Sequence, residues 1–294
     1  MPFAAVVMLV VCITCYTVQT FFNKMFSISY RGPAAAATPV FASLYGLIVG
    51  GATLVYAGFQ FHPSVPTLVM GAANGVVLFL FNLSSINAAR TGPYAFQSIM
   101  LLFGNILLTL LFSTLWWGDQ LRPVQILGIG VMLLSFVIFN LQSLHFDGMK
   151  KGYLGWVLLL FFANGLYGIL VDAQQRVLLQ QERNEMIMIT FAVSAVISLL
   201  YLAAVQGRAA ARAFRMDARS WIFAVGSSLG AAVAIHLLML TLRLVPASVL
   251  YTVINGSILV LSALLSAVVL REKLTRSMVA GIAVAVISLV LLSL

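Results

Sequence analysis

The sequence predicts an all-α integral membrane protein: ten transmembrane helices arranged as two inverted five-helix repeats. Three observations carry that prediction. Of 294 residues, 62% are hydrophobic and 8% are charged, against roughly 25% charged in a soluble domain. The intervals without charge are long enough to cross a bilayer. The chain also matches itself at a shift near 153 residues. The charge deficit excludes a water-soluble enzyme, a disordered chain and a nucleic-acid-binding domain. The net charge of +9 is what basic residues kept in cytoplasmic loops produce.

A spanning helix needs about 20 mostly apolar residues. Uncharged intervals run 1–23, 32–89, 91–118, 123–146, 152–171, 186–207, 220–242, 244–270 and 277–294. His62, Pro63 and Pro66 break the second of these into two, since a polar ring and two prolines suit a turn. The expected spans are therefore 3–23, 34–58, 66–89, 93–117, 123–142, 153–174, 186–206, 219–242, 246–270 and 276–294. Trp116, Trp117, Trp156 and Trp221 fall near span ends, where an amphipathic indole prefers to lie. The first span lacks the basic flank and the small-residue cleavage site of a signal peptide.

Lysine and arginine set the orientation. Loops following odd-numbered spans carry 12 of them and loops following even-numbered spans carry Arg122, Arg176, Arg183 and Arg243. The positive-inside rule places the odd loops in the cytoplasm and both termini outside.

The repeat is the most specific signal. At a shift of 153, residues 90–141 lie over 243–294 without a gap. Arg90 meets Arg243, Pro93 meets Pro246, Asp119 meets Glu272 and Gly128 meets Gly281. Gly71 and Gly75 meet Gly226 and Gly230 at a shift of 155, and Tyr16 meets Tyr167 at 151. Two units follow, 1–146 and 147–294. Five is an odd number, so the units cross the membrane in opposite senses, the inverted repeat of many secondary transporters.

Each half ends in proline, helix, acidic turn and glycine-containing helix. The signature reads Pro93 to Trp117, Gly118-Asp119-Gln120-Leu121, then Gly128. In the second half it reads Pro246 to Leu270, Arg271-Glu272-Lys273-Leu274, then Gly281. On these residues the chain resembles the drug/metabolite transporter superfamily, and within it the bacterial EamA-type branch. The resemblance implies a multi-pass protein of the bacterial inner membrane. It implies helices 1, 3, 4, 6, 8 and 9 around a central cavity, and transport of amino acids, other metabolites or drugs. The first helix has no acid, so the glutamate of the small four-helix multidrug pumps of this superfamily has no counterpart here.

Polar side chains in hydrocarbon face the bundle interior or a cavity. Tyr16, Gln19 and Asn23 share one face of the first helix. Asn164 and Tyr167 form a stripe on the sixth, and Tyr251 and Asn255 sit one turn apart on the ninth. Asn74 on the third, Gln97 on the fourth and His236 on the eighth complete the expected substrate-binding set. The competing reading is that such residues hold helices together. Asp172 is the one acid placed within a span. It could bind a substrate amine or carry a coupling proton, or span six could end just before it with Arg176 as a surface partner. His236 is the other titratable coupling group. Asp119 and Glu272 are expected to cap the following helix or pair with Arg122, Lys273 or Arg276.

Several motifs carry no chemistry here. Gly226-Ser-Ser-Leu-Gly230 spells a hydrolase elbow but lies in a span rather than between strand and helix. Cys12-Ile-Thr-Cys15 lies in an apolar helix without an activating neighbour. Asn82-Leu-Ser84 and Asn255-Gly-Ser257 are glycosylation sequons inside spans. Expected, then, is a secondary transporter of a small organic solute, an amino acid or related metabolite with export favoured. It would be no enzyme and would need no cofactor, metal or nucleic acid. Its partners would be the solute and membrane lipids, with proton or solute counter-exchange, and the unit would be a monomer or homodimer. The alternatives are a flippase or efflux carrier for an amphiphilic drug-like or lipid-linked molecule, and a non-transporting scaffold.

Overall fold

The computed structural model describes residues 3–33, 35–143, 149–177, 181–269 and 274–293. Ten long helices follow the ten expected spans. They are α1 Phe3–Ser29, α2 Ala37–Tyr56, α3 Val65–Thr91, α4 Tyr94–Leu115 and α5 Pro123–Asn140, then α6 Tyr153–Val177, α7 Arg183–Gln206, α8 Ala218–Thr241, α9 Ala247–Val269 and α10 Arg276–Ser293. Among the described residues nine are long and apolar enough to cross a membrane, and a tenth apolar stretch, Arg276–Leu292, is one residue shorter than that length. Aliphatic side chains such as Leu47, Leu127, Leu158, Leu200 and Ile222 point outward, as lipid-facing side chains do.

Local chemistry explains the ends. Ser64 caps α3, accepting from the Thr67 amide, and Asp217 caps α8, accepting from Ser220. Both side chains take an orphan N–H of the first turn. Pro123 opens α5, where proline has no helical hydrogen bond to lose. Gly118 closes α4 with φ +69°. That left-handed conformation lets the Asp119 amide donate to the Ser113 carbonyl at 3.0 Å and sets the Asp119 side chain beside α6.

The packing reads the same when α1–α5 are exchanged for α6–α10. α2 packs on α7 and α5 on α10, which are self-paired under the exchange. α1 packs on α8 as α3 packs on α6, and α4 on α6 as α9 on α1. The last two seams are unequal. α4 and α6 touch along their length, whereas α1 and α9 touch over much less of theirs. Glycines permit the tight seam. A methyl group at Gly104 would overlap the Phe161 carbonyl, and one at Gly165 would overlap Leu108 and the Gly104 carbonyl. Without a hydrophobic force between helices in lipid, such close backbone contact is a main source of association.

Glu182 ties α7 to α3. Its Oε2 accepts from the Ser64 amide at 2.8 Å and the Ser64 hydroxyl at 2.7 Å. Hydrogen bonds from Thr67 and then Ser64 hold this exposed carboxyl below the ordinary glutamate range. A lowered folded value means that the stabilising contribution is complete above about pH 4.3, the unperturbed glutamate value. It is lost as pH falls through the lower, folded value. Hydrogen exchange at the Ser64–Thr67 amides, corrected for its intrinsic pH dependence, should show constant protection near neutrality and a loss below about pH 4. Glu182→Gln should show the reduced protection already at pH 7, and equal protection in both proteins would contradict the tie.

Candidate functional site

The bundle gathers part of the expected set around four phenols. Tyr16 of α1, Tyr167 of α6 and Tyr251 of α9 lie within electrostatic range of one another, and Tyr45 of α2 joins them. Tyr16, Tyr45 and Tyr167 are half-buried, and Tyr251 is buried. Gln19 faces this group, its Nε2 donating to the Tyr45 hydroxyl at 3.0 Å. The Tyr251 hydroxyl donates to the Gly168 carbonyl at 3.3 Å. Tyr45 was not among the residues that polarity on helices 1, 3, 4, 6, 8 and 9 singles out. It lies on α2, and only its contact with Gln19 brings it in.

The asparagines on α6 and α9 act differently. Asn105 of α4 joins them: its Oδ1 accepts from Asn255 Nδ2 at 2.9 Å, and its Nδ2 donates to the Asn164 carbonyl at 3.4 Å. Asn164 Nδ2 donates back to the Leu101 carbonyl at 2.8 Å. Three helices are held at this point, beside the phenols. Asn105 is a residue that the sequence could have offered, since it is an amide in the middle of the uncharged interval 91–118.

The remaining expected residues are elsewhere. Asn23 accepts from the Ser227 hydroxyl of α8. Asn74 donates to Thr190 of α7 at 3.5 Å, and Gln97 donates to the Ser85 carbonyl of α3 at 2.8 Å. His236 stands against Tyr56, with ring centroids 5.0 Å apart, at the α2–α8 contact. Cys12 is buried, its thiol against the Ala234 carbonyl at 3.4 Å, and both cysteines are free.

Asp172 belongs to an ionic group. α6 does not stop before it but continues to Val177, and the Asp172 side chain is buried. Arg176, one turn later, reaches it with Nε at 3.1 Å. The same guanidinium is bidentate to Asp119, at 2.9 and 2.7 Å, and lies 5.4 Å from the Trp117 ring centroid. This corrects the expected partners of Asp119: the acid is met by an arginine from the neighbouring helix rather than by Arg122 or Arg276. The fork geometry of a guanidinium suits such two-sided pairing. Glu272 and Lys273, the repeat-related acid and its neighbour, lie outside the described residues. Among the described residues the group has two carboxylates for one cation. Tyr251 is within electrostatic range of Asp172, so the phenols and the ionic group adjoin.

Residues 153–294 match the EamA-like transporter family. Twenty-nine chains of solved structures match the fold. One, described as "Crystal structure of protein", aligns over 98% of this chain and 98% of its own with a TM-score of 0.78 at 18% identity. No curated protein gives a match.

The ionic group predicts a defined mutational cycle. Arg176→Gln leaves a buried carboxylate unpaired and should destabilise by about 3–5 kcal/mol. Asp119→Asn, which leaves the Arg176–Asp172 pair in place, should cost about 1 kcal/mol. Arg176→Gln combined with Asp172→Asn should recover most of the loss. Thermal unfolding in detergent reads all three, and a double variant no better than Arg176→Gln would contradict the pairing.

Proposed function

We propose, from the match of residues 153–294 to the EamA-like transporter family, that the chain is a secondary transporter of a small organic solute bearing an amine. The solute class is an amino acid or related metabolite, and export is the favoured direction. The observation that carries this reading is the shared cation: Asp119 and Asp172 divide one guanidinium beside four phenols. Two carboxylates against one arginine leave a negative charge that an ammonium group or a proton can compensate. Phenol faces attract a cation at close range, worth about 0.5–2 kcal/mol.

Transport follows from competition. An amine placed among Tyr16, Tyr45, Tyr167 and Tyr251 approaches Asp172 and draws it away from Arg176. Arg176 then holds α6 to the Asp119 turn less firmly, and the α4–α6 seam loosens at its even-loop end. Because the halves are repeat-related, loosening one seam can accompany closure of the other, α1–α9. A ligand shifts such an equilibrium only as far as it binds the two states differently, and the Asp172 contact supplies the difference. A proton at Asp172 would substitute for the amine, which gives proton or solute counter-exchange a place. The two repeats, 1–146 and 147–294, are the moving units of this reading. The protein is then an integral carrier of the bacterial inner membrane rather than an enzyme, working as a monomer or homodimer with its termini outside.

Reconstituted protein, offered labelled amino acids, amines and sugars with and without a pH gradient, tests the reading. Uptake and counterflow should favour amine-bearing solutes. Tyr167→Ala and Tyr251→Ala should each weaken apparent affinity by about 2- to 30-fold, and Asp172→Asn should abolish discrimination between the amine and its neutral analogue. No movement of any solute would overturn the transporter reading. Preference for sugars over amines would overturn the substrate class alone.

A further inference from the structure

A second charged cluster lies away from the phenols, at the even-loop ends of α2, α7 and α8. Arg183 opens α7 and is half-buried. It lies within electrostatic range of Arg243, just past α8, of His236 on α8 and of Tyr56, the last residue of α2. Tyr56 and His236 are in ring contact. Arg183 Nε is shielded from solvent and has no hydrogen-bond partner, and His236 Nε2 is in the same condition. Among the described residues Arg183 makes no ion pair, and the charges it feels include no acid. His236 Nδ1 lies 2.6 Å from the Ala232 carbonyl. A carbonyl only accepts, so Nδ1 donates and Nε2 is the ring position left to face a ligand.

This arrangement is costly as it stands. A shielded cation without a counter-charge loses hydration and gains nothing for it. A shielded donor left without a partner loses its hydration and gains no hydrogen bond in return. Like charges gathered at one place add repulsion. An oxyanion relieves all three. A guanidinium fork matches carboxylate and phosphate oxygens, and its weak hydration favours such pairing at partly buried sites. The Tyr56 hydroxyl supplies a further donor, and His236 Nε2 becomes one when it takes a proton together with the bound oxyanion.

We propose that Arg183, Arg243, His236 and Tyr56 form a binding site for a phosphate-type oxyanion, carried either by a free anion or by an anionic lipid headgroup. The site stands on its own geometry and does not depend on the amine-transport reading. It lies at the bilayer edge of the face opposite the basic loops, so both sources can reach it.

The test uses the whole protein with defined probes. In neutral detergent and chloride buffer, inorganic phosphate is titrated at constant ionic strength. In parallel, nanodiscs of phosphatidylcholine alone are compared with nanodiscs of equal phosphatidylcholine and phosphatidylglycerol. At least one arm should raise Tm saturably, as a ligand bound only to the folded state does. A rise with phosphate identifies a free anion, and a rise with phosphatidylglycerol alone identifies a headgroup. Arg183→Gln should lose the rise while keeping a basal Tm no lower than the parent's. Arg208→Gln, in a loop on the other face, should keep it. Modification of the unaltered protein by phenylglyoxal, mapped by mass spectrometry, gives a readout that needs no variant. The effective probe should slow reaction at Arg183 several-fold and leave Arg208 unchanged. No rise in either arm, a rise that Arg183→Gln retains, or equal protection of Arg183 and Arg208 would overturn the site.

Discussion

One guanidinium held between two carboxylates governs the even-loop end of the bundle. Arg176 meets Asp119 from the α4–α5 turn and Asp172 from its own helix. The pairing is possible only because α4 and α6 run side by side with glycines at their contact, and because Gly118 turns the chain so that Asp119 faces α6. Polar groups in a membrane interior must find partners within the protein. The ionic group therefore fixes the ends of α4 and α6, and the Asn105 bridge to Asn164 and Asn255 fixes their middles together with α9.

The repeat does not extend to this chemistry. At the shift of 151, Asp172 and Arg176 correspond to Phe21 and Met25, and Gly165 and Gly168 to Thr14 and Thr17. At 153, Gly104 corresponds to Ser257 and Asn105 to Ile258. One seam thus carries ionic and glycine contacts where its counterpart carries apolar and hydroxyl side chains. On the proposed reading, the exchange symmetry of the packing gives two arrangements of the helices, and unlike side chains give them unequal energies. On the proposed reading, that inequality is what a solute or a proton at Asp172 adjusts.

The ten helices were legible in the sequence because bilayer thickness imposes a length and the cost of buried charge imposes a silence between loops. The repeat was legible because prolines, acids and glycines mark helix ends at a fixed spacing. What escaped was which helices touch. Periodicity assigns a residue to a face but not to a neighbour, so Tyr45 and Asn105 were passed over. For the same reason, sequence distance pointed Asp119 toward Arg122 when its partner is 57 residues away. Asn23, Asn74 and Gln97 shared the polarity of the central residues, yet the structure places them at other helix contacts. A single polar side chain in a span satisfies the same energetic demand whether it faces a solute or a helix.

The proposed transport cycle requires the two repeat-related seams to move oppositely. Spin labels at Leu115 and Val177, exposed at the even-loop ends of α4 and α6, report one seam, and labels at Ile28 and Val268 report the odd-loop ends of α1 and α9. Distances from pulsed dipolar spectroscopy are compared between the parent and Arg176→Gln. Opposite movement predicts that the variant populates longer Leu115–Val177 distances together with shorter Ile28–Val268 distances. Seams that stay fixed, or that lengthen together, would contradict it.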